Sequence, residues 1–360
     1  MIQRSGDFMS TTPHFVEDFA AAEDRALAVA SDNRVAPATR AHYPWFRVAI
    51  RVIVDAAFVL WGAATLSFFV LHSLPGSPAD MLVTDPEAPQ ELRDRVIAEY
   101  GLDKPLFIQY LVFLAKLARG DLGNSYLLRR PVADVIALEA GSTISLALSA
   151  LVLSVLIASV AAILTSGRAP FARKVVSFLE LTAISVPSFW VGLLLLAAFS
   201  YTIPIFPDSG DRGVSTLILP AITVASGLVG TLAQILRQGM EGTLRQPFIV
   251  SAFTRGATET SVRVVHAFRH SLLTTVTLSG MFFAFLLGGA VITETIFARP
   301  GIGRIMLMAI NSKDIPLVIG VVIFCAIAFV VINTIVDLLY PVIDPRLRTL
   351  RPLRPERSAR

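Results

Sequence analysis

Runs of about twenty apolar, almost uncharged residues recur along this chain, and the segments between them carry most of its charge. A helix that satisfies its own backbone hydrogen bonds needs about 20 residues to cross a hydrocarbon core of about 30 Å. Six stretches meet that length: Val48–Leu71, Thr143–Thr165, Val175–Tyr201, Val214–Leu236, Ser271–Phe297 and Ile315–Tyr340. The pattern therefore predicts an all-α polytopic membrane protein with six transmembrane helices and both termini on one side. Pro187 lies partway along the third stretch and predicts a kink there, since proline removes a backbone donor. Neither an internal repeat nor a convincing strand pattern is visible.

Two connecting segments have their own periodicity. In the long segment of about 73–141, Leu92–Tyr100 and Leu106–Arg119 show helical apolar spacing, the latter through Phe107, Tyr110, Leu111, Phe113, Leu114 and Leu117. A small helical cap is expected. In the segment of about 240–270, Phe248, Ile249, Ala252 and Phe253 form one apolar face, and Gly256 breaks the helix. Thr258 can N-cap a second helix with Glu259 in its first turn. Val262, Val265 and Phe268 would form its apolar face, with Arg263 and Arg269 outside it. Two short amphipathic helices jointed at a glycine suit either a groove on another protein or the lipid surface.

Charge supplies the orientation. The chain carries a formal net charge of +4, but its arginines flank apolar runs instead of forming one basic face, so a nucleic-acid partner is not expected. Arg168, Arg173 and Lys174, then Arg237, Arg245, Arg255, Arg263 and Arg269, and finally six arginines from Arg346 to Arg360 share one side. The other side holds Arg212, Arg299, Arg304 and Lys313, apart from the long segment after the first span, where acidic residues outnumber basic ones. The positive-inside bias predicts cytoplasmic N and C termini. Residues 1–44 mix acidic and basic side chains and read as a cytoplasmic tail, not a signal peptide; residues 349–360 read as a basic cytoplasmic tail. The lone Cys325, inside an apolar run, permits no internal disulfide and no cysteine metal site.

Little in the sequence points to catalysis. His266 and His270 are four apart, a spacing that can present two imidazoles to a metal, but no third ligand stands nearby; the expectation is no metal. There is no Gly-x-x-x-x-Gly-Lys-Ser/Thr phosphate loop. Ionisable groups in spans are costly and often functional. Glu294 would meet a free amino group, or else sit at a helix end as a partner for Arg299 or Arg304. Asn333 and Asp337 share a face of the sixth span, where a structural contact is favoured, and Arg51 and Asp55 can pair within the first. Gly280, Gly288 and Gly289 allow close helix approach or pore width. Ser188 comes directly after the expected kink. Ser188, Gly288, Glu294 and Asn333 are thus candidates for a translocation path.

The stretch Phe248-Ile-Val-Ser-Ala-Phe-Thr-Arg-Gly256, followed by Ala257-Thr-Glu-Thr and His266-Ala-Phe-Arg269, resembles the coupling loop of ABC-importer permeases. That loop has a Glu-Ala-Ala triplet and a glycine four residues later; here Ala252 and Gly256 keep the spacing, while Val250 and Ser251 replace Glu-Ala. The His266-Ala-Phe-Arg269 string is similar to the dipeptide/oligopeptide/nickel branch. So are Tyr100-Gly-Leu-Asp-Lys-Pro105, Gly120-Asp-Leu-Gly-Asn-Ser125, Ser185-Val-Pro-Ser-Phe-Trp-Val-Gly192, Gly288-Gly-Ala-Val-Ile-Thr-Glu-Thr-Ile-Phe297, Arg299-Pro-Gly-Ile-Gly303 and Asp344-Pro-Arg346. The resemblance runs from about Val48 to Arg348.

That resemblance implies an ABC importer type I permease fold over residues 45–348, in a prokaryotic cytoplasmic membrane. Its implied partners are a second homologous permease, two ATP-binding cassette subunits, an extracytoplasmic substrate-binding protein and a peptide substrate. Ser251, Ala252, Gly256, Ala257, Thr258, Glu259, His266 and Arg269 would couple to an ATPase. ATP and Mg would sit on the partners, with no cofactor on this chain and no enzymatic activity of its own. A nickel or other small-solute importer is the alternative within the family. A stand-alone secondary transporter is the alternative outside it, but paired broken helices in two repeats are not evident.

Overall fold

A computed structural model describes residues 45–73, 103–167 and 170–343. Within them the chain is helical: α1 (Trp45–His72), α2 (Leu106–Ala118), α3 (Val132–Thr165), α4 (Pro170–Ser185), α5 (Ser188–Leu196), α6 (Ser215–Leu244), α7 (Pro247–Thr254), α8 (Glu259–Ser261), α9 (Arg269–Gly289), α10 (Val291–Ile296), α11 (Ile302–Asn311) and α12 (Ile315–Ile343). Wider π-helical turns come after α5 at Ala197–Thr202 and after α8 at Val262–Phe268. The sole strand-like pairing among the described residues is an isolated bridge between Asn124 and Pro131. The expected tails and the helix expected at Leu92–Tyr100 lie outside the described residues, and so does the Arg51 side chain.

Four helices, α1, α3, α6 and α12, are individually long and apolar enough to cross a membrane. The other two crossings are bent pairs. Pro187 sits in an extended conformation between α4 and α5, and Arg173–Ser185 and Ser188–Thr202 lie at 90° to one another. The expected kink is therefore a full break. Proline cannot donate to the carbonyl one turn back, and in the preceding turn the Thr182 and Ser185 hydroxyls donate to the carbonyls of Phe178 and Leu181.

A strong bend can mark either a broken span or a loop that turns back, and packing decides between them. Along α6, contacts step from Arg173 against Glu241, to Glu180 against Arg237, Ile184 against Gly230, Ser188 against Gly227, and Leu196 against Leu219. The α4–α5 pair thus tracks the whole of α6 in antiparallel fashion, which makes it a crossing. The segment from Glu259 to Gly288, bent by 50°, behaves likewise. Ala267 packs with Leu236 and Met240 near the end of α6, whereas Leu286, Leu287 and Ala290 pack with Ala221 and Val224 near its start and with Leu146 of α3. Six crossings result.

The crossings define two ends. The cap end gathers α2, the 119–131 turn, α10, α11 and the start of α12. There Val132, Ile136, Ile302, Ile305, Ala309 and Leu317 form one apolar cluster. The elbow end gathers the last turns of α3 and α6, the start of α4, and α7–α8. Two expected boundaries are corrected by the structure. First, α3 begins at Val132 and not at Thr143, so residues 132–141 form the first turns of a 34-residue helix. Pro131 occupies the cap position, and Asp134 lies in the first turn, where a carboxylate is favourable against the helix dipole. At 1.5 Å per residue α3 is about 51 Å long and reaches beyond the hydrocarbon layer. Second, α6 continues to Leu244, carrying Arg237 inside the helix instead of into the next connection.

The centre of the bundle is α3 against α6, with α9 and α12 beside them. Glycines set the close approaches: a Cβ at Gly230 would lie 2.5 Å from the Glu180 carbonyl oxygen, and one at Gly280 would overlap the Val336 side chain. In apolar surroundings, small residues replace hydrophobic force as the means of bringing helices together. The α1 helix lies outermost, with Ile53, Phe58, Leu66 and Val70 exposed, as expected for a lipid-facing helix. It is held to the cap end by Thr65, 2.7 Å from the Tyr110 hydroxyl, and by Phe68 stacked on Phe113.

Candidate functional site

The elbow is built locally by the residues that predict it. Gln246 is extended, and Pro247 occupies the first turn of α7, where its missing N–H costs nothing. Gly256 ends the helix at φ +85°, a left-handed conformation that side-chain-bearing residues adopt at a cost. Its N–H donates to the Phe253 carbonyl at 2.9 Å, and the Ala257 N–H donates to Ala252 at 3.1 Å, which satisfies the carbonyls of the last turn. Thr258 then caps α8, its hydroxyl accepting the Ser261 N–H at 3.3 Å. Glu259 pairs with Arg263 one turn on.

The second helix of the elbow departs from expectation. Arg263 is buried, while Val265 is 53% exposed. The π turn at Val262–Phe268 widens the spacing of inward positions to the five residues from Val262 to Ala267, which leaves Val265 outside, while Arg263 is enclosed near Gly167 with Glu259 as its partner. Val262, Arg263 and Ala267 face inward and Val264 and Val265 outward. Inside, Val262 packs with Ile249 and Ala252, while Ala267 packs with Ala162, Leu236 and Met240. Outside, Phe248, Val250, Phe253, Val264 and Val265 expose apolar surface.

The eight residues expected to couple are brought into this one element. Ala252 is buried and Ala257 and His266 half-buried, whereas Ser251, Gly256, Thr258, Glu259 and Arg269 are exposed. The Nδ1 of His266 is buried with no hydrogen-bond partner, and the His270 ring lies 5.2 Å from that of Phe248. Among the described residues no three metal-ligating side chains come together.

Beneath the elbow lies a polar network the sequence did not disclose. Arg237 donates to Glu180 from Nε at 3.2 Å and from Nη2 at 2.5 Å, both side chains being almost fully buried. Glu241 joins it at 3.8 Å and meets Arg173 at 3.2 Å. This fork ties α4 to α6, and α6 leads directly into the elbow. The available signal was a carboxylate in the third apolar run and an arginine at the edge of the fourth, one residue beyond the last apolar position of that run.

The four translocation candidates are placed separately. Ser188 opens α5 at the break and packs against Gly227. Gly288 faces open space. Asn333 donates to the Phe329 carbonyl of its own helix at 2.9 Å. Glu294 is fully buried, and its carboxylate receives the Thr143 hydroxyl at 2.5 Å and the backbone N–H of Arg304 at 2.9 Å. It therefore meets Arg304 through the main chain, not as an ion pair, and fastens α10 to α3 and α11. Gly301 lies against that carboxylate so closely that a Cβ there would overlap it. Arg299 beside it is buried, with Nη2 donating to Ser145 at 3.2 Å. Burial pulls its pKa down, while the charges of Asp211 and Glu294 act to raise it.

Comparison with known proteins agrees with this architecture. Residues 151–349 match the binding-protein-dependent transport system inner membrane component family, and residues 45–147 match the N-terminal region described for such membrane components. A Brucella abortus (strain 2308) protein named as a peptide transport system permease is 37% identical over 308 residues, covering 83% of this chain and 98% of the relative. A Brucella suis biovar 1 (strain 1330) protein of the same name is 37% identical over 307 residues, covering 83% and 98%. The glutathione transport system permease GsiC of Escherichia coli (strain K12) is 31% identical over 290 residues, covering 80% and 94%. This chain is an inner-membrane transport subunit with the type I permease fold of ABC importers, a member of the binding-protein-dependent transport system inner membrane component family.

Proposed function

We propose that the chain forms one half of the translocation path of an ATP-driven importer for short peptides, the other half being a second, homologous permease. Two ATP-binding cassette subunits, with ATP and its magnesium, drive the cycle, and an extracytoplasmic binding protein delivers cargo. The elbow end faces the cytoplasm, with both termini there, as the distribution of arginines favours. The observation that carries this reading is the elbow itself: its inner face is packed into the ends of α3 and α6, and its outer face exposes Phe248, Val250, Phe253, Val264 and Val265. A groove on an ATPase is a fitting cover for such a surface. Movement imposed there passes through α6 and the Arg237–Glu180 fork to α4. The names of the relatives, which concern peptide and glutathione transport systems, favour peptide cargo over a metal ion.

The test is co-purification of the complex, then peptide uptake into proteoliposomes with and without ATP. Uptake that needs ATP and all partners is the expected result. Replacing Gly256 by Val should leave insertion and assembly intact while abolishing ATP-coupled uptake. Wild-type uptake by that variant would overturn the docking role of the elbow, and ion-coupled uptake by the purified chain alone would replace the importer with a secondary transporter.

A further inference from the structure

At the cap end, away from the elbow, a cavity of about 750 Å³ opens between α3 and α11. Its volume falls in the range of small-molecule sites. The walls include the apolar side chains of Leu128, Val135, Ile305 and Met308, and two charged groups join them: Glu139 on α3 and Arg304 on α11. Neither forms an ion pair among the described residues. Arg304 spends one of its five donors on the Ala298 carbonyl at 3.2 Å; Glu139 accepts a backbone hydrogen bond from Gly301, while its Oε2 is buried without a partner.

Glu294 fastens together the helices that carry these two charges. Glu294 accepts the backbone N–H of Arg304. It also accepts the hydroxyl of Thr143, which is one helical turn from Glu139 on the same face of α3. An acid and a base on separate helices, near enough for the charge of Arg304 to act on Glu139, share one largely apolar cavity and form a complementary set for a zwitterion that carries apolar side chains.

We propose that this cavity is a binding site for a short peptide with free termini, its ammonium directed to Glu139, its terminal carboxylate to Arg304, and an apolar side chain to Leu128, Val135, Ile305 and Met308. The proposal rests on the peptide-importer reading and adds to it a cargo contact on the permease itself, separate from the binding protein. Arg304 is suited to the carboxylate because its planar guanidinium can donate two parallel hydrogen bonds to the two oxygens.

The experiment uses the assembled permease–ATPase complex in nanodiscs, without binding protein, and ligand-observed NMR to monitor binding of the dipeptide Ala-Leu, N-acetyl-Ala-Leu and Ala-Leu amide. Wild type should bind Ala-Leu best. Glu139→Gln should weaken Ala-Leu by about 10-fold or more, the usual scale for a lost charged hydrogen bond, and leave N-acetyl-Ala-Leu unaffected. Arg304→Gln should weaken Ala-Leu and N-acetyl-Ala-Leu but not the amide. Leu128→Trp, which fills the cavity from a loop, should abolish binding of all three and serves also if a charge variant fails to assemble. Affinities indifferent to these substitutions would overturn the site. So would the absence of Ala-Leu binding by wild type; cross-linking of Leu128→Cys to another subunit would then make the cavity a protein interface. An importer that takes up peptides under ATP while failing these tests loses only this site; one that takes up no peptide refutes the function on which it rests.

Discussion

The Arg237–Glu180 pair shows how much depends on single side chains inside an apolar bundle. Removing one partner of a buried pair leaves an uncompensated charge, at a cost of about 3–5 kcal/mol, whereas removing both is far milder. Glu180→Ala should therefore lower the thermal midpoint of the purified protein markedly, and Glu180→Met combined with Arg237→Met should recover most of the loss. Equal destabilisation by the single and the double variant would show that the fork is not held as described. A second contrast concerns glycines. Gly280 lies against Val336 with no room for a side chain, while a Cβ at Gly288 meets nothing. Gly280→Leu should cost about 1–3 kcal/mol by overpacking, and Gly288→Ala should be near neutral; detergent-denaturation midpoints would distinguish them.

At the scale of elements, the elbow and the broken third crossing are governed by local backbone chemistry. Gly256 at φ +85° is a position where a β-branched residue costs about 1–2 kcal/mol. Gly256→Val should thus loosen the elbow, seen as faster amide hydrogen exchange over 247–268 with little change elsewhere. Thr258→Ala removes a helix cap worth about 1 kcal/mol, and should produce a smaller increase confined to 258–263. The break at Pro187 divides its crossing into two arms with different attachments: α4 is bound through Glu180 to the part of α6 beside the elbow, and α5 packs through Leu196 near Leu219 and Phe297 at the cap end. A straight helix would carry motion from one end to the other as a rigid rod. A right-angled joint lets the two arms move differently.

For the whole molecule, six crossings place 203–214 and 298–314 at one end and 245–268 at the other. In a variant with Cys325 replaced by Ala, single cysteines at Ser209 and at Ser251 should be labelled by a membrane-impermeant maleimide from opposite sides of the membrane, Ser251 from the cytoplasmic one. Labelling of both from one side would refute the six-crossing topology, and the reverse assignment would refute only the orientation.

The range of the forces involved explains how much of this was legible in the chain. Apolar run length is a local property, so the crossings could be read directly, and a turn that demands glycine or proline is local too, which is why Gly256, Thr258 and Pro187 stand where the sequence placed them. The angle at Pro187, the burial of Arg263, and the extension of α6 to enclose Arg237 depended on neighbours remote in sequence. Burying an arginine is tolerable only where a carboxylate on another helix waits for it, and no one-dimensional pattern records that meeting. Glu294 is the clearest case: the sequence marked it as a costly charge near a membrane boundary, but only packing against Thr143, Gly301 and the Arg304 backbone decided that it would be a fastening between helices. By itself, then, the sequence determined which segments enter lipid and that the third is interrupted at Pro187. The tertiary structure alone decided which polar groups inside them find each other, because the free energy of a buried charge is set by its surroundings in space.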